Sequence, residues 1–310
     1  LPEASAMTKE EIASYMGELY FLRAFCYWNL VRTFGSVPLR TEENMYTWDL
    51  AKSPVADVYG LIVSDLKNAM ENCPDKARYY GTPCKNSAKA LYAWVCLDLK
   101  QYAEAKKYAG DVISSGMYSL VQVTSGDDFA TKVFGEGLPT TSEEVFYLKT
   151  SMTDSKTWDY LSYTAHPQYK YDGVNTVCKT GYYTHYTDLN NPVIKNWDER
   201  DLRRSLNIAH YAFSASTYGE NTCLLLKYRA PNASGSKAQI DIPLLRYTDV
   251  LLTYAEACAR TGEMSNAVNA LNQIKRRAYG GDPNVANPEI DYVASDYADY
   301  DQFFYGALLN

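Results

Sequence analysis

The feature that most constrains the fold of this chain is an internal repeat. The segments Asn86 to Gly116 and Thr248 to Gly280 each read as two helices joined by a short turn, and an offset of 162 residues superposes them. Tyr92-Ala93 then lies over Tyr254-Ala255, Cys96 over Cys258, Ala105 over Ala267, Ala109 over Leu271 and Val112 over Ile274. A repeated helical hairpin cannot bury its apolar face alone; it needs a neighbour on each side. The repeat therefore predicts a mostly α-helical scaffold of stacked hairpins.

A third hairpin is readable upstream. Thr8-Lys9-Glu10-Glu11 is a capping box, in which the Thr8 hydroxyl and the Glu11 carboxylate each satisfy the other's backbone N–H. Ile12, Tyr15, Leu19, Leu22, Cys26, Leu30 and Phe34 follow at three- and four-residue spacing, which predicts a buried stripe ended by Gly35 and Pro38. Ser53-Pro54 places a capping hydroxyl before the helical position where proline is tolerated, and predicts a second helix through Val55, Val58, Ile62, Leu66 and Ala69 to Pro74. In both later hairpins small residues stand 12 apart, Ala93 with Ala105 and Ala255 with Ala267. Tetratricopeptide repeats use that spacing to let two helix backbones approach closely. The predicted hairpins span 8–74, 86–116 and 248–280 within a single domain over 1–310.

Between the hairpins, residues 117–245 change character. Glu143 to Leu148 is a short strand candidate, and the remainder is rich in Gly, Ser, Thr, Asn and Asp, which mark turns. From Trp158 to Tyr186 it carries eight aromatic residues in 29 positions, twice the whole-chain share of 14%. Loops borne on a rigid frame are where binding residues concentrate. Trp158, Tyr160 and Tyr163, with Tyr182 and Tyr183, are the candidate ligand contacts here. Adjacent strand residues face opposite ways, so one of Tyr182 and Tyr183 is expected to face a ligand. A second loop-borne pair, Tyr46 and Trp48, lies within the first hairpin.

Several function classes are disfavoured. The formal charge is −7, which does not suit sequence-independent binding to a phosphate backbone. No window reaches the roughly 18 apolar residues of a membrane-spanning helix. The seven cysteines include no C-x-x-C pair; Cys26, Cys96 and Cys258 fall in apolar helical periods and read as small core residues, while spacing alone does not settle whether Cys73 and Cys84 pair. His166, His185 and His210 form no metal-binding or catalytic motif, and no nucleophile elbow or phosphate loop is present. Glu143 and Glu144 are adjacent on a strand candidate, so they diverge rather than flank one bond as glycosidase carboxylates do. No catalytic residue, metal or cofactor is expected, although calcium content is not readable. Arg23, Arg246 and Glu256 read as ion-paired scaffold, and the sign-alternating run Asp198 to Arg204 as a capping cluster.

One resemblance spans nearly the whole chain. Glu18, Phe21-Leu22-Arg23-Ala24, Tyr27, Leu30, Phe34-Gly35 and Val37-Pro38-Leu39 resemble the E-x-x-F-L-R-A-x-x-Y-x-x-L-x-x-x-F/Y-G-D/N-V-P-L helix of the SusD/RagB family of Bacteroidetes nutrient-binding outer-membrane lipoproteins. Arg246-Tyr247-Thr248-Asp249-Val250-Leu251-Leu252-Thr253-Tyr254-Ala255-Glu256-Ala257 is similar to the family's R-Y-A-E-V-L-L-x-Y-A-E-A segment. Ser142 to Phe146 and Asp198 to Arg203 occur in the family's order. Ser36 departs from the usual Asp or Asn.

The resemblance implies a tetratricopeptide-like scaffold with a loop-rich excursion carrying the ligand site. It also implies export to the extracellular face of the outer membrane, a lipid anchor that this sequence does not include, and docking on a SusC-like TonB-dependent transporter. The chain reads as a fragment, because similar proteins continue past Asn310. The function expected is non-catalytic capture of an oligosaccharide or polysaccharide. The competing readings are capture of a peptide, as RagB-like members do, and, further off, glycoside hydrolysis by carboxylates converging from distant sequence.

Overall fold

The computed structural model describes residues 6–151, 161, 163, 165–179, 181, 187–210, 222–233 and 237–309. It divides into two compact units. One comprises residues 1–117, 249–267 and 299–310, the other 118–248 and 268–298. The chain therefore passes between them four times, and neither is a single stretch of sequence.

Helices build the first unit. The hairpin of α1 (Lys9–Phe34) and α2 (Val55–Asn72) packs on α3 (Lys85–Asp98), which pairs with α4 (Tyr102–Ser114). Beyond α4 lies α5 (Tyr247–Arg260), and α6 (Met264–Ala278), which belongs to the second unit from residue 268 onward, follows after a turn at Gly262, whose φ of 81° suits glycine. Contact between α4 and α5 is close: a Cβ added at Gly110 would sit 3.3 Å from the Tyr254 ring. Lys106 forms an ion pair with Glu263 at the turn. The small residues of the repeat, Ala93, Ala105, Ala255 and Ala267, are all fully buried. The expected mostly helical, tetratricopeptide-like scaffold is thus present, and its spacing of small residues is what permits the stacking.

The capping box at Thr8 forms as expected, with Thr8 N–H donating to Glu11 (2.8 Å) and Glu11 N–H to the Thr8 hydroxyl (3.2 Å). The buried face of α1 differs from the expected stripe. Phe21, Ala24, Tyr27, Trp28 and Val31 are buried, while Tyr15, Leu19, Leu22, Cys26, Leu30 and Phe34 are exposed. Both sets recur at helical spacing, so periodicity could not choose between them. The α2 contact chooses, because Gly17 on the buried side lets the backbone at Asn72 and Cys73 approach to where a Cβ would sit. Cys26 is accordingly no core residue, whereas Cys96 and Cys258 are. Helix α2 begins at Val55 with Pro54 at the cap, and the Ser53 hydroxyl is not the cap; instead the Ser53 N–H donates to the Val37 carbonyl (2.9 Å). Cys73 and Cys84 are both buried, and burial pushes the Cys73 thiol up to about 12.

Short strands and turns dominate the second unit. β1 (Glu144–Leu148) runs antiparallel to β5 (Ile242–Arg246) with two register shifts. A separate antiparallel sheet has the order β2 (Thr187–Asp188), β4 (Thr222–Leu225), β3 (Ile208–His210). Two small cores support these, one around Phe129, Phe134 and Leu206, the other around Leu161, Cys178, Leu226 and Ile240. No helix among the described residues is long and apolar enough to cross a membrane.

Buried ion pairs fix the β1 strand entry. Glu143 is fully buried and meets the Arg277 guanidinium, accepts from the Val121 N–H (2.9 Å), and lies 3.5 Å from Arg246. Glu144 turns the other way, accepting from the Thr140 hydroxyl and the Thr141 N–H (2.9 Å each). The two carboxylates therefore diverge, as strand alternation requires.

Candidate functional site

The loop joining α1 to α2 is built to hold rings in water. Its base is closed by the Val37–Ser53 bridge. The Tyr27 hydroxyl, rising from α1, accepts from the Arg40 N–H (2.7 Å) and donates to the Arg40 carbonyl (3.2 Å). Asn44 forms an internal staple, its side chain accepting from Thr41 N–H (2.9 Å) and donating to the Leu39 carbonyl (3.0 Å). Thr47 N–H returns to the Asn44 carbonyl (2.9 Å), and the Arg40 guanidinium donates to that of Met45 (3.1 Å).

A charged group ties the loop to the hairpin. Arg23 grips Asp65 of α2 through two bonds (2.7 and 2.8 Å) and extends its remaining arm to Glu42 of the loop (3.0 Å). Asp65 is nearly fully buried, and these bonds raise the Arg23 pKa further above its ordinary range. Arg23 is thus paired within the scaffold, as its helical position predicted.

On this pinned loop Tyr46 is 86% exposed and Trp48 98%. Burying an aromatic side chain is among the most favourable local acts in folding, so two rings left in water on a fixed backbone are primed for an external partner. Their flat faces suit the apolar face of a sugar ring, and the loop carbonyls and carboxylates suit hydroxyls.

The other expected contacts are distributed differently. Tyr163, in the second unit, is 55% exposed. Trp158, Tyr160, Tyr182 and Tyr183 lie outside the described residues. Arg246 pairs with Glu143 and Glu256 accepts from the Tyr300 hydroxyl (2.9 Å), both as scaffold. The Asp198 to Arg204 run forms its expected ion pairs, Asp198 with Arg200 (2.8 Å) and Asp201 with Arg203 (2.6 Å). The Arg200 guanidinium and the Tyr279 hydroxyl hold the Asp198 carboxyl well below the usual carboxylate range. His166 is buried, its Nδ1 accepting from the Gln168 N–H (3.2 Å). Among the described residues no group of three or more His, Cys, Asp or Glu side chains could hold a metal ion.

One aromatic feature escaped the sequence reading. Between α2 and α3, Tyr79 and Tyr80 are 73% and 60% exposed at the tip of a turn closed by Thr82, whose N–H and hydroxyl both donate to the Tyr79 carbonyl (3.0 and 2.9 Å). Arg78 anchors this turn, binding Glu18 of α1 through two bonds (2.7 and 2.6 Å) with its guanidinium 3.6 Å from the centre of the Tyr15 ring. The consecutive tyrosines before Gly81 were the available signal.

The first unit also has an open pocket of about 220 Å³, lined in part by Trp94, Leu252, Thr253, Glu256 and Phe304. Its Glu256 carboxylate is already engaged by Tyr300 and faces Arg260 at 3.7 Å.

Comparison with known proteins gives consistent findings. Residues 214–298 match the model of the SusD family, and residues 3–97 match one described as starch-binding associating with outer membrane. "SusD-like protein P38" of Formosa agariphila is 28% identical over 284 residues, covering 84% of this chain and 56% of that relative. Among solved structures, a laminarin-binding SusD-like protein superposes with a TM-score of 0.73 at 19% identity, covering 99% of this chain and 70% of its own. Surface glycan-binding protein A of Bacteroides fluxus gives 0.71 at 21% identity, with the same coverage. The chain spans a little over half the length of the curated relatives it matches.

Proposed function

This chain belongs to the SusD/RagB family, and from that premise we propose that it is a non-catalytic glycan-binding protein of the outer membrane. It captures oligosaccharide or polysaccharide at the cell surface and passes it to a SusC-like TonB-dependent transporter. The observation that carries the reading is Trp48, almost wholly exposed beside Tyr46 on a loop whose backbone is fixed by hydrogen bonds. The names of the laminarin-binding and surface glycan-binding neighbours support a sugar as the ligand. The outer-membrane description of the family model matched at residues 3–97 supports the location.

Capture without chemistry fits the carboxylates. Glu143 is buried against Arg277 and Arg246, and Glu144 is held by Thr140 and Thr141, so neither is presented to a glycosidic bond. The reading needs no cofactor.

Intrinsic tryptophan fluorescence during titration with a panel of glycans tests the proposal, with Trp48→Ala and Trp158→Ala as comparison variants. The expected result is a saturable change for one glycan class, lost in Trp48→Ala without loss of helical circular dichroism. Binding of oligopeptides with no response to any glycan would replace the sugar with a peptide.

A further inference from the structure

Two aromatic turns are anchored on the same helix. The α1–α2 loop is held at Arg23 and Tyr27, and the Tyr79–Tyr80 turn at Tyr15 and Glu18. From Tyr15 to Tyr27 is 12 residues, which at helical rise is about 18 Å along α1 and at helical pitch about 120° around it. Tyr15 lies on the uncovered face of α1, which Tyr27 borders, and that face carries Leu19 (49% exposed) and Leu22 (40%) with no charged side chain among its exposed positions from Tyr15 to Leu30. The anchors of both turns therefore stand at this uncovered face of α1.

Resting on the glycan reading above, we propose that the Tyr79–Tyr80 turn is a second stacking platform for the same ligand. The preferred ligand class is then an extended stretch of a long glycan chain, and not a mono- or disaccharide. Three observations support this occupant. All four rings are more than half exposed on turns that are closed by hydrogen bonds at Asn44 and Thr82, so part of the cost of ordering those turns is met before ligand arrives. The outer anchors of the two turns, Tyr15 and Tyr27, stand about 18 Å apart along α1, farther than one sugar ring spans, so a chain is what would engage both. Two platforms on one rigid helix also make the second contact intramolecular, which raises affinity for long chains without altering that for short ones.

Calorimetric titration of the protein with laminari- and malto-oligosaccharide ladders, from disaccharide to heptasaccharide and then polymer, tests this. Wild type, Tyr79→Ala/Tyr80→Ala and Trp48→Ala are compared, each checked by circular dichroism. For the ladder that binds, wild-type affinity should climb by about tenfold or more between the shortest and longest members, the scale of one or two ring contacts. The double tyrosine variant should flatten that climb while leaving the shortest bound oligosaccharide unchanged. Length-independent affinity, or a climb that survives in the double variant, overturns the second platform and leaves capture at Trp48 standing. Absence of binding by wild type to every glycan of the fluorescence panel, alongside binding of oligopeptides, overturns the platform together with the glycan reading.

Discussion

Trp48 and Glu143 show how differently a side chain can serve this chain. Trp48 is exposed and touches nothing that holds the fold, so Trp48→Ala should alter unfolding free energy by no more than about 0.5 kcal/mol, measured by urea denaturation. Glu143 is the reverse. It is buried against Arg277, itself 3% exposed, and Glu143→Gln leaves that guanidinium without its counter-charge. Breaking one side of a buried pair typically costs about 3–5 kcal/mol, so this variant should unfold at markedly lower urea. The divergence of Glu143 and Glu144 was legible in sequence, because a strand sends neighbours to opposite faces whatever its context. The partners of Glu143 were not legible, since Arg277 lies 134 residues away and no local rule links them.

At the scale of elements, caps and repeats were legible and faces were not. The Thr8 box and the paired alanines are local chemistry, and they appear where the sequence places them. Helix α1 is apolar on two sides, and what selects the buried side is the fit to α2. An alanine at Gly17 would place its Cβ 2.4 Å from the backbone nitrogen of Cys73. Gly17→Ala should therefore destabilise by about 1–3 kcal/mol through overpacking, although alanine is the better helix former by about 1 kcal/mol. Thermal unfolding would show a lowered midpoint; an unchanged or raised one would contradict the close approach. Asp128 offers a test of a different element. It accepts from the N–H and hydroxyl of Thr124 and pairs with Lys132, and the Lys132 ammonium with these bonds lowers its pKa to about 2. A carboxylate with a depressed folded pKa contributes stability above its unfolded value, lost as pH falls through the folded one. The contribution of Asp128 should thus fade between about pH 4 and pH 2. Carboxyl NMR titration should find its midpoint near the lower figure, and Asp128→Asn should remove that part of the acid limb.

Over the whole molecule the governing fact is connectivity. The first unit draws residues 1–117, 249–267 and 299–310 from three places in the sequence, and its α4 meets α5 across a long excursion. An array of helical hairpins takes its stability from neighbouring interfaces, so a hairpin pair lacking the next helix exposes the face meant to be covered. Gly110 and Lys106 lie on that face of α4. A fragment of residues 1–117 should consequently be helical by circular dichroism yet unfold over a broad urea range with a low slope. Adding a peptide of residues 247–280, which supplies Tyr254 and Glu263 to Gly110 and Lys106, should sharpen the transition and raise its midpoint with the logarithm of peptide concentration. If residues 1–117 unfolded as cooperatively alone as with the peptide, the repeat at 248–280 would be an addition to a complete core. The sharpened transition instead would show that the two copies, 162 residues apart, complete one core.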